Sequence, residues 1–305
     1  MVHRNPSPRR SGLQAPRGTH RARGSSAGIR WASLVACLVA GCAAIPPPAH
    51  RAASIPAVTD RRAFWTPAPR GDRPILAILM DDLGDSIPQA AAFLEVPVPL
   101  SFAILPDAPA APDVARFLRS IGREVLVHLP MEPVEADLMP HPMFLTTSMD
   151  ENELRERTEA FLDRVPGAAG ANNHMGSRFT QDLARLQVVF EVLKARGLFF
   201  VDSRTTPATV AREAAARTGI RFAERTVFLD NDPSEASIEA RLAEAVQAAR
   251  DRGCALAIAH PRPETLFTLT RWARAVPRDV DVAPVSRLVQ SPCQADRRAG
   301  SPSER

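Results

Sequence analysis

The chain has 305 residues, of which 45% are hydrophobic, so it can bury a substantial core. Its formal net charge of +4 originates at the N-terminus, where seven arginines and no acidic residue precede Trp31. The remaining 31 of the 38 basic residues face all 34 acidic residues. The body of the protein is therefore not the basic surface that nucleic-acid binding needs, and we expect no nucleic-acid partner.

The arginine-rich leader is followed by an apolar run, Trp31 to Ala40, which is too short to span a bilayer but suits the core of a signal peptide. The run leads into Leu38-Val39-Ala40-Gly41-Cys42, which resembles a bacterial lipobox. We therefore predict that residues 1–41 are a signal peptide and that the protein is periplasmic, held at a membrane only through a lipid on Cys42. The alternative is an ordinary signal peptide cleaved after Ala44.

Two segments lack the apolar periodicity of folded elements. Residues 42–73 are rich in proline and alanine and are predicted to be a tether, and residues 290–305 are predicted to be a disordered tail. Between them, residues 74–289 are predicted to form a single domain. Cys254, in an apolar run, and Cys293, in the polar tail, are not expected to form a structural disulfide.

Short apolar runs alternate with helix-periodic segments along the domain, which predicts parallel strands joined by crossover helices. The predicted strands are 75–80, 100–105, 124–129, 168–172, 198–201, 226–229, 255–259 and 282–285. The predicted helices include 113–121, 150–165, 181–196, 234–252 and 263–275, with Asp150 and Ser234 as N-caps. A domain of this size with seven or eight such units is near the size of a small (β/α) barrel.

Polar residues follow nearly every predicted strand. They are Asp81, Asp82, Asp107, His128, Asn172, Asn173, His174, Asp202, Asp230 and His260. In barrels and parallel sheets the active site gathers at the carboxyl ends of the strands. For Asp107 and Asp230 we favour a helix-capping interpretation, because an aspartate after a strand often caps the next helix.

The adjacent carboxylates of Asp81 and Asp82 would repel each other unless a cation or a shared proton relieved them. One carboxylate together with two imidazoles is a donor set that suits zinc or a similar divalent ion, with positions left open for water. The strand-end residues therefore predict a hydrolytic metal site.

Five motifs resemble, in order and spacing, those of the divergent polysaccharide deacetylases, a remote branch of the NodB-type carbohydrate esterases. They are Ile78 to Gly84, Val127 to Met131, Gly170 to Ser177, Phe200 to Ser203 and Ile258 to Pro261. The resemblance spans about Pro74 to Val289. It implies a distorted (β/α) barrel of about seven parallel strands and a divalent metal, for which the donor set favours zinc.

The resemblance also implies roles. Asp81 would be the general base and His260 the general acid oriented by Asp202, while Asp82 and His128 would bind the metal. The second histidine of the esterase metal motif is replaced by Glu132, so His174 is our choice for the third ligand, with Glu132 as the alternative.

The chain departs from the esterase pattern in its oxyanion support. The arginine and tyrosine motif near the fourth strand is missing, and the chain has no tyrosine at all. Backbone amides or the Asn173 side chain would have to replace it. Arg262 stands where family members often have a histidine, and is expected to affect substrate contacts.

These expectations combine into a predicted function: an exported metal-dependent hydrolase that removes an acetyl group from an acetylated glycan, such as an envelope polysaccharide. The alternatives are a catalytically silent carbohydrate-binding module and an envelope scaffold on the same fold.

Overall fold

The structure is a computed structural model that describes residues 73–135 and 143–290. The strands in these ranges are β1 (Ile75–Leu83), β2 (Ser101–Ile104), β3 (Glu124–Met131), β4 (Gly170–Met175), β5 (Phe199–Asp202), β6 (Phe222–Glu224), β7 (Val227–Phe228), β8 (Cys254–Ala259) and β9 (Asp281–Val282). The helices are α1 (Ile87–Ala92), α2 (Ala111–Ser120), α3 (Glu151–Arg164), α4 (Leu183–Ala195), α5 (Ala211–Thr218), α6 (Glu235–Arg252), α7 (Pro263–Ala273) and α8 (Ser286–Gln290). The predicted leader (1–41), nearly all of the tether and residues 291–305 lie outside the described residues.

The strands form one parallel sheet in the order β6-β5-β4-β3-β2-β1-β8-β7, and β9 pairs with β1. The outermost strands β6 and β7 are separated by only two residues, Arg225 and Thr226. Because a two-residue link is short, the two edges of the sheet must lie close together, so the sheet curls on itself. This confirms the predicted distorted (β/α) barrel, with nine short strands described instead of about seven.

Local signals explain most of the helices. Asp150 caps α3 in a reciprocal capping box with Glu153, and Ser234 caps α6, so both predicted N-caps are confirmed. No prediction was made for α1, α5, α8 or β6. These elements are short, and α5 is rich in alanine, so none shows a long apolar periodicity.

The two faces of the sheet belong to different hydrophobic clusters. On β1, Leu76, Ile78 and Met80 belong to the large cluster that includes the helices, whereas Ala77 and Leu79 belong to the smaller one. The smaller cluster, which we call the barrel interior, also contains Leu126, Phe199, Val201, Leu256 and Ile258, together with Val285 and Leu288 beside and on α8. Since side chains alternate between faces along a strand, this division shows which strand-end residues continue the interior row.

The C-terminal part of the fold corrects two expectations. Cys254, at the start of β8, is disulfide-bonded, and the other three cysteines of the chain lie outside the described residues. The expectation of no structural disulfide was therefore wrong. It assumed that a buried strand residue would not pair with a cysteine in a polar tail, but Val285 and Leu288, near the C-terminal end of the described residues, pack in the same cluster as Cys254. Gln290, predicted to begin the tail, is the last residue of α8.

Among residues 73–135 and 143–290, no helix combines the length and the apolar character needed to cross a membrane.

Candidate active site

The interior rows of β1, β3 and β8 each end in a polar side chain. On β1 the row Ala77, Leu79 continues to Asp81, and on β8 the row Leu256, Ile258 continues to His260. By the same alternation, Leu126 on β3 is followed by His128. The carboxyl ends of parallel strands lie on one side of a barrel, so these side chains converge at its mouth.

A β-bulge brings Asp82 to the same place. Met80 pairs with Phe102 but Leu83 pairs with Ile104, so β1 has one extra residue relative to β2. Asp82 lies in this bulge with a left-handed φ of 55°. In a regular strand Asp81 and Asp82 would face opposite sides, and the bulge redirects the second carboxylate toward the first.

Three side chains from three strands meet at one point. The Oδ1 atom of Asp82 lies 3.1 Å from His128 Nε2 and 3.0 Å from His174 Nδ1, and the two ring nitrogens are 3.2 Å apart. Ligand atoms on a tetrahedral zinc, with bonds of about 2.0–2.1 Å, lie about 3.3 Å from one another. The three atoms therefore already have nearly the spacing that such an ion requires, and this is the candidate metal group within the described ranges.

Asp82 Oδ1 provides a second test of whether these residues fit a cation. This atom is buried and has no hydrogen-bond partner among the described residues, although two ring nitrogens lie close to it. Burial raises the pKa of the Asp82 carboxyl, but the neighbouring His128 and His174 outweigh this effect and hold the pKa well below its usual range. An ionised oxygen that is buried between two ring nitrogens, with no well-aligned hydrogen bond to either, fits a metal ligand.

Asn172 links the candidate ligand His128 to the candidate base Asp81. His128 is 2% exposed, and its Nδ1 lies 2.9 Å from Asn172 Oδ1, while Asn172 Nδ2 donates to Asp81 Oδ1 over 2.9 Å. The contact with Asn172 requires the proton on Nδ1 and so leaves Nε2 directed at Asp82. Burial raises the pKa of Asp81, which the charge of His128 offsets only in part.

His260 is oriented by Asp230, not by Asp202 as predicted. Asp230 is fully buried; its Oδ1 lies 2.8 Å from His260 Nδ1, and its Oδ2 accepts hydrogen bonds from the backbone N–H of His260 and from Thr265 Oγ1. The helix-capping interpretation of Asp230 was therefore wrong. Burial lowers the pKa of His260, but Asp230 outweighs that effect and raises it.

Strand register explains why Asp230, and not Asp202, contacts His260. Val227 and Phe228 on β7 pair with Ala257 and Ile258 on β8, so continuing the register places Asp230 beside His260. Asp202 lies two residues after Phe200 and therefore on the same face of β5, the face toward the helices. Its carboxylate accepts hydrogen bonds from the backbone of Arg204 and from Thr209 Oγ1.

The remaining predicted site residues fall outside this group or at its border. Asn173 is 1% exposed, donates to the Met175 carbonyl and accepts from the Ser203 backbone, so the prediction that its side chain supports an oxyanion was wrong. Glu132 accepts two hydrogen bonds from Thr147 and is absent from the metal group. Arg262 donates to the Asp230 carbonyl, and its contact with substrate stays a prediction.

The glycines of two motifs allow the close approach of neighbouring loops. Gly176, which follows Met175 (φ 53°), has a φ of 87°, and a Cβ there would lie 2.9 Å from the Met131 side chain. Gly84 has a φ of 129°, and a Cβ there would lie 2.6 Å from that of Ala108. Both positions therefore require glycine next to the strand ends that carry the site.

The mouth of the barrel is open and partly aromatic. The side chains of Asp82, His174 and His260 are 34%, 21% and 23% exposed, so a ligand can reach them, whereas Asp81 and His128 lie beneath them. Phe228 stacks on the His260 ring with centroids 6.0 Å apart, and the Arg225 guanidinium lies over the Phe228 ring, 3.9 Å from its centroid. His260 is thus held by Asp230 at its edge and by Phe228 at its face.

Comparisons with known proteins show the family of the chain. Residues 78–289 match the family described as divergent polysaccharide deacetylase. The chain is 36% identical over 217 residues to the uncharacterized protein YibQ of Escherichia coli K12, covering 71% of this chain and 68% of YibQ. It is 35% identical over 213 residues to an uncharacterized protein of Haemophilus influenzae, covering 70% and 76%. An uncharacterized Agrobacterium tumefaciens protein of known structure shares the fold, with a TM-score of 0.68 at 23% identity over 75% of this chain and 94% of its own. The motif resemblance is thereby confirmed, and the chain belongs to the divergent polysaccharide deacetylase family.

Proposed function

We propose that this protein is an exported, metal-dependent hydrolase that removes an acetyl group from an acetylated glycan. The observation that carries the proposal is the convergence of Asp82, His128 and His174 within 3.0–3.2 Å of one another beside two separate proton-transfer groups. One carboxylate oxygen and two imidazole nitrogens favour zinc. Such an ion would polarise the acetyl carbonyl and acidify a water molecule.

Asp81 has the position and the environment of a general base. Its Oδ1 is held by Asn172, and its Oδ2 lies 3.7 Å from His128 Nε2, which directs the carboxylate toward the metal group. Because burial raises its pKa, the Asp81 carboxylate is a stronger base than a surface aspartate. Asp81 would take the proton of the attacking water.

His260 has the complementary features of a general acid. Its Nδ1 is engaged by Asp230, and its Nε2 lies 3.9 Å from Asp82 Oδ2, so Nε2 is the nitrogen that faces the metal group. The raised pKa keeps the ring charged to higher pH, and a charged ring can donate from Nε2 to the departing amine or alcohol. The products would be acetate and the free amino or hydroxyl group of the sugar.

The glycan substrate and the location rest on the family and on the N-terminal sequence. The family descriptor points to polysaccharide, and the apolar core before Cys42 supports export and lipid attachment. The disulfide at Cys254 supports an oxidising compartment such as the periplasm, because disulfides are rare in the cytosol. An acetylated envelope glycan is then the expected partner, with a membrane involved only through the lipid.

The test is a combined metal analysis and acetate-release screen. The purified protein should contain about one divalent ion per chain and should release acetate from N-acetylated or O-acetylated oligosaccharides. The matched variant Asp81→Asn should keep the ion and lose acetate release. A metal-loaded wild type that releases no acetate from any glycan would contradict the proposed activity.

A catalytically silent glycan-binding protein is the second candidate. The observation that favours it is Asn173, whose side chain is buried and bonded within the fold where oxyanion support was predicted. The same screen separates the two functions. Glycan binding without acetate release by the metal-loaded protein supports the silent protein.

A further inference from the structure

Asn172 lies in one of the five motifs but has no role among those that the resemblance implies. It is fully buried on β4, where it pairs in register with His128 on β3. Both polar atoms of its side chain are used inside the candidate site: Oδ1 lies 2.9 Å from His128 Nδ1, and Nδ2 lies 2.9 Å from Asp81 Oδ1 and 3.2 Å from Ser203 Oγ.

The two ends of an amide group have fixed and opposite hydrogen-bonding characters. The oxygen only accepts, so its contact requires a proton on His128 Nδ1, and the nitrogen only donates, so its contact requires an accepting oxygen on Asp81. If the Asn172 amide were turned around, its N–H group would face the N–H of His128 Nδ1. Its carbonyl oxygen would then face the carboxylate oxygen of Asp81. A single orientation of Asn172 thus satisfies both neighbours.

We propose that Asn172 is a positioning residue that sets the His128 ring for metal binding through one end of its amide and holds the Asp81 carboxylate through the other. With the proton fixed on Nδ1, the Nε2 lone pair is available to an ion at Asp82, 3.1 Å away. With a donor on Oδ1, the Asp81 carboxylate keeps a fixed direction between Asn172 and His128. The proposal rests on the proposed metal-dependent function. It names Asn172 as the residue that links the metal ligand His128 to the general base Asp81.

Two substitutions separate the two ends of the amide. Asn172→Asp keeps an oxygen that accepts from His128 Nδ1 but removes the donor to Asp81 and places a carboxylate against it. Asn172→Ala removes both contacts. We expect Asn172→Ala to weaken zinc binding by about 10–100-fold, measured by competition with a chromophoric chelator. We expect Asn172→Asp to bind zinc within a few-fold of wild type and yet to lose turnover at saturating zinc.

Ser203→Ala is the matched control, because it removes the longest contact of the same amide and leaves both ends engaged. Zinc affinity in this variant should fall less than in Asn172→Ala. Wild-type zinc affinity in Asn172→Ala, or equal zinc loss in both Asn172 variants, would overturn the proposal.

A readout that needs neither metal nor substrate keeps this inference separate from the proposed function. In the metal-free protein, ¹⁵N NMR at a pH where the His128 ring is neutral should place its proton on Nδ1, and this preference should disappear in Asn172→Ala. A wild-type ring with its proton on Nε2 overturns the proposal, whatever the metal content. A protein that lacks acetate release but shows the Nδ1 proton and its loss in Asn172→Ala would contradict the proposed activity and support the role of Asn172.

Discussion

The substitution Asp230→Asn tests how the fold prepares His260 for proton transfer. Asp230 Oδ2 accepts two hydrogen bonds, from the His260 backbone and from Thr265, whereas Oδ1 faces His260 Nδ1. An asparagine can satisfy the two donors only by placing its oxygen at the Oδ2 position. Its NH₂ group then faces Nδ1, which must accept, so the neutral ring carries its proton on Nε2.

The sign and the size of the effect follow from this geometry. The carboxylate 2.8 Å from Nδ1 raises the pKa of His260, and an opposite charge at such a distance typically shifts a pKa by about 1–3 units. In Asp230→Asn the charged ring would also meet an N–H group, so its pKa should fall. The alkaline limb of the pH–rate profile should therefore move about 1–3 units to lower pH. Turnover should fall by about 10²–10⁴-fold, the usual contribution of general acid catalysis.

The assay is acetate release across pH at saturating zinc, with zinc content measured on the same samples. Asp202→Asn is the matched control, because Asp202 is also buried at a strand end, but its carboxylate accepts hydrogen bonds from Arg204 and Thr209 and not from His260. This variant should lower the melting temperature without moving the alkaline limb. A limb that moves in Asp202→Asn and stays in place in Asp230→Asn would refute the reasoning.

Three further predictions concern the metal, its linkage to protons and the anchor. His174→Ala should lower zinc occupancy and activity together, while its melting temperature stays near that of metal-free wild type, with His141→Ala as the control; full occupancy would recast His174 as a substrate contact. Burial opposes the charged form of His128, but Asp81 and Asp82 outweigh it and raise its pKa to about 9. Its contribution to the stability of the metal-free protein is therefore complete below pH about 6.5 and lost as pH rises through about 9. Zinc binding near pH 7.5 should release about one proton, which calorimetry in buffers of different ionisation enthalpy measures, and zero release would contradict a charged His128. Cys42→Ser should abolish incorporation of a fatty-acid label, and a wild type without that label would exclude the lipid anchor.

Much of the fold and site was predictable because strand ends carry a local signal. Asp81, Asp82 and His260 directly follow apolar runs, and His128 lies near the end of one. His174 follows Asn172 and Asn173 at the end of the fourth predicted strand. The parallel topology brings such positions together. The structure brings all five residues to one mouth. The roles of these five residues as ligands, base and acid stay predictions.

The errors at Asp202 and Asn173 have one physical cause, and the error at Asp230 has another. Each of the first two errors depends on the face of a strand, and the face changes with every residue. Counting from the interior residues Phe199 and Val201 assigns Asp202 to the helix side, and counting from Ala171 assigns Asn173 to that side and Asn172 to the interior. This alternation was a usable signal in the sequence for strands long enough to define it. The pairing of Asp230 with His260 needed the register between β7 and β8, which short strands do not reveal.

At Asp82 the alternation of side chains along β1 predicts the wrong face, because the bulge redirects the side chain. This bulge can be tested directly in solution. Asp82 has a φ of 55°, a region that asparagine and glycine tolerate but that costs alanine about 1–2 kcal/mol. Asp82→Ala, Asp82→Asn and Asp82→Gly should all lose zinc, because each removes the carboxylate shared by His128 and His174. In the metal-free state, however, denaturant unfolding should rank the glycine variant at or above the alanine variant, which reverses their usual order in strands. The asparagine variant should exceed the alanine variant by about 1 kcal/mol. If alanine is instead the most stable of the three, the left-handed bulge does not exist in solution, and the two adjacent carboxylates of β1 cannot both face the barrel mouth.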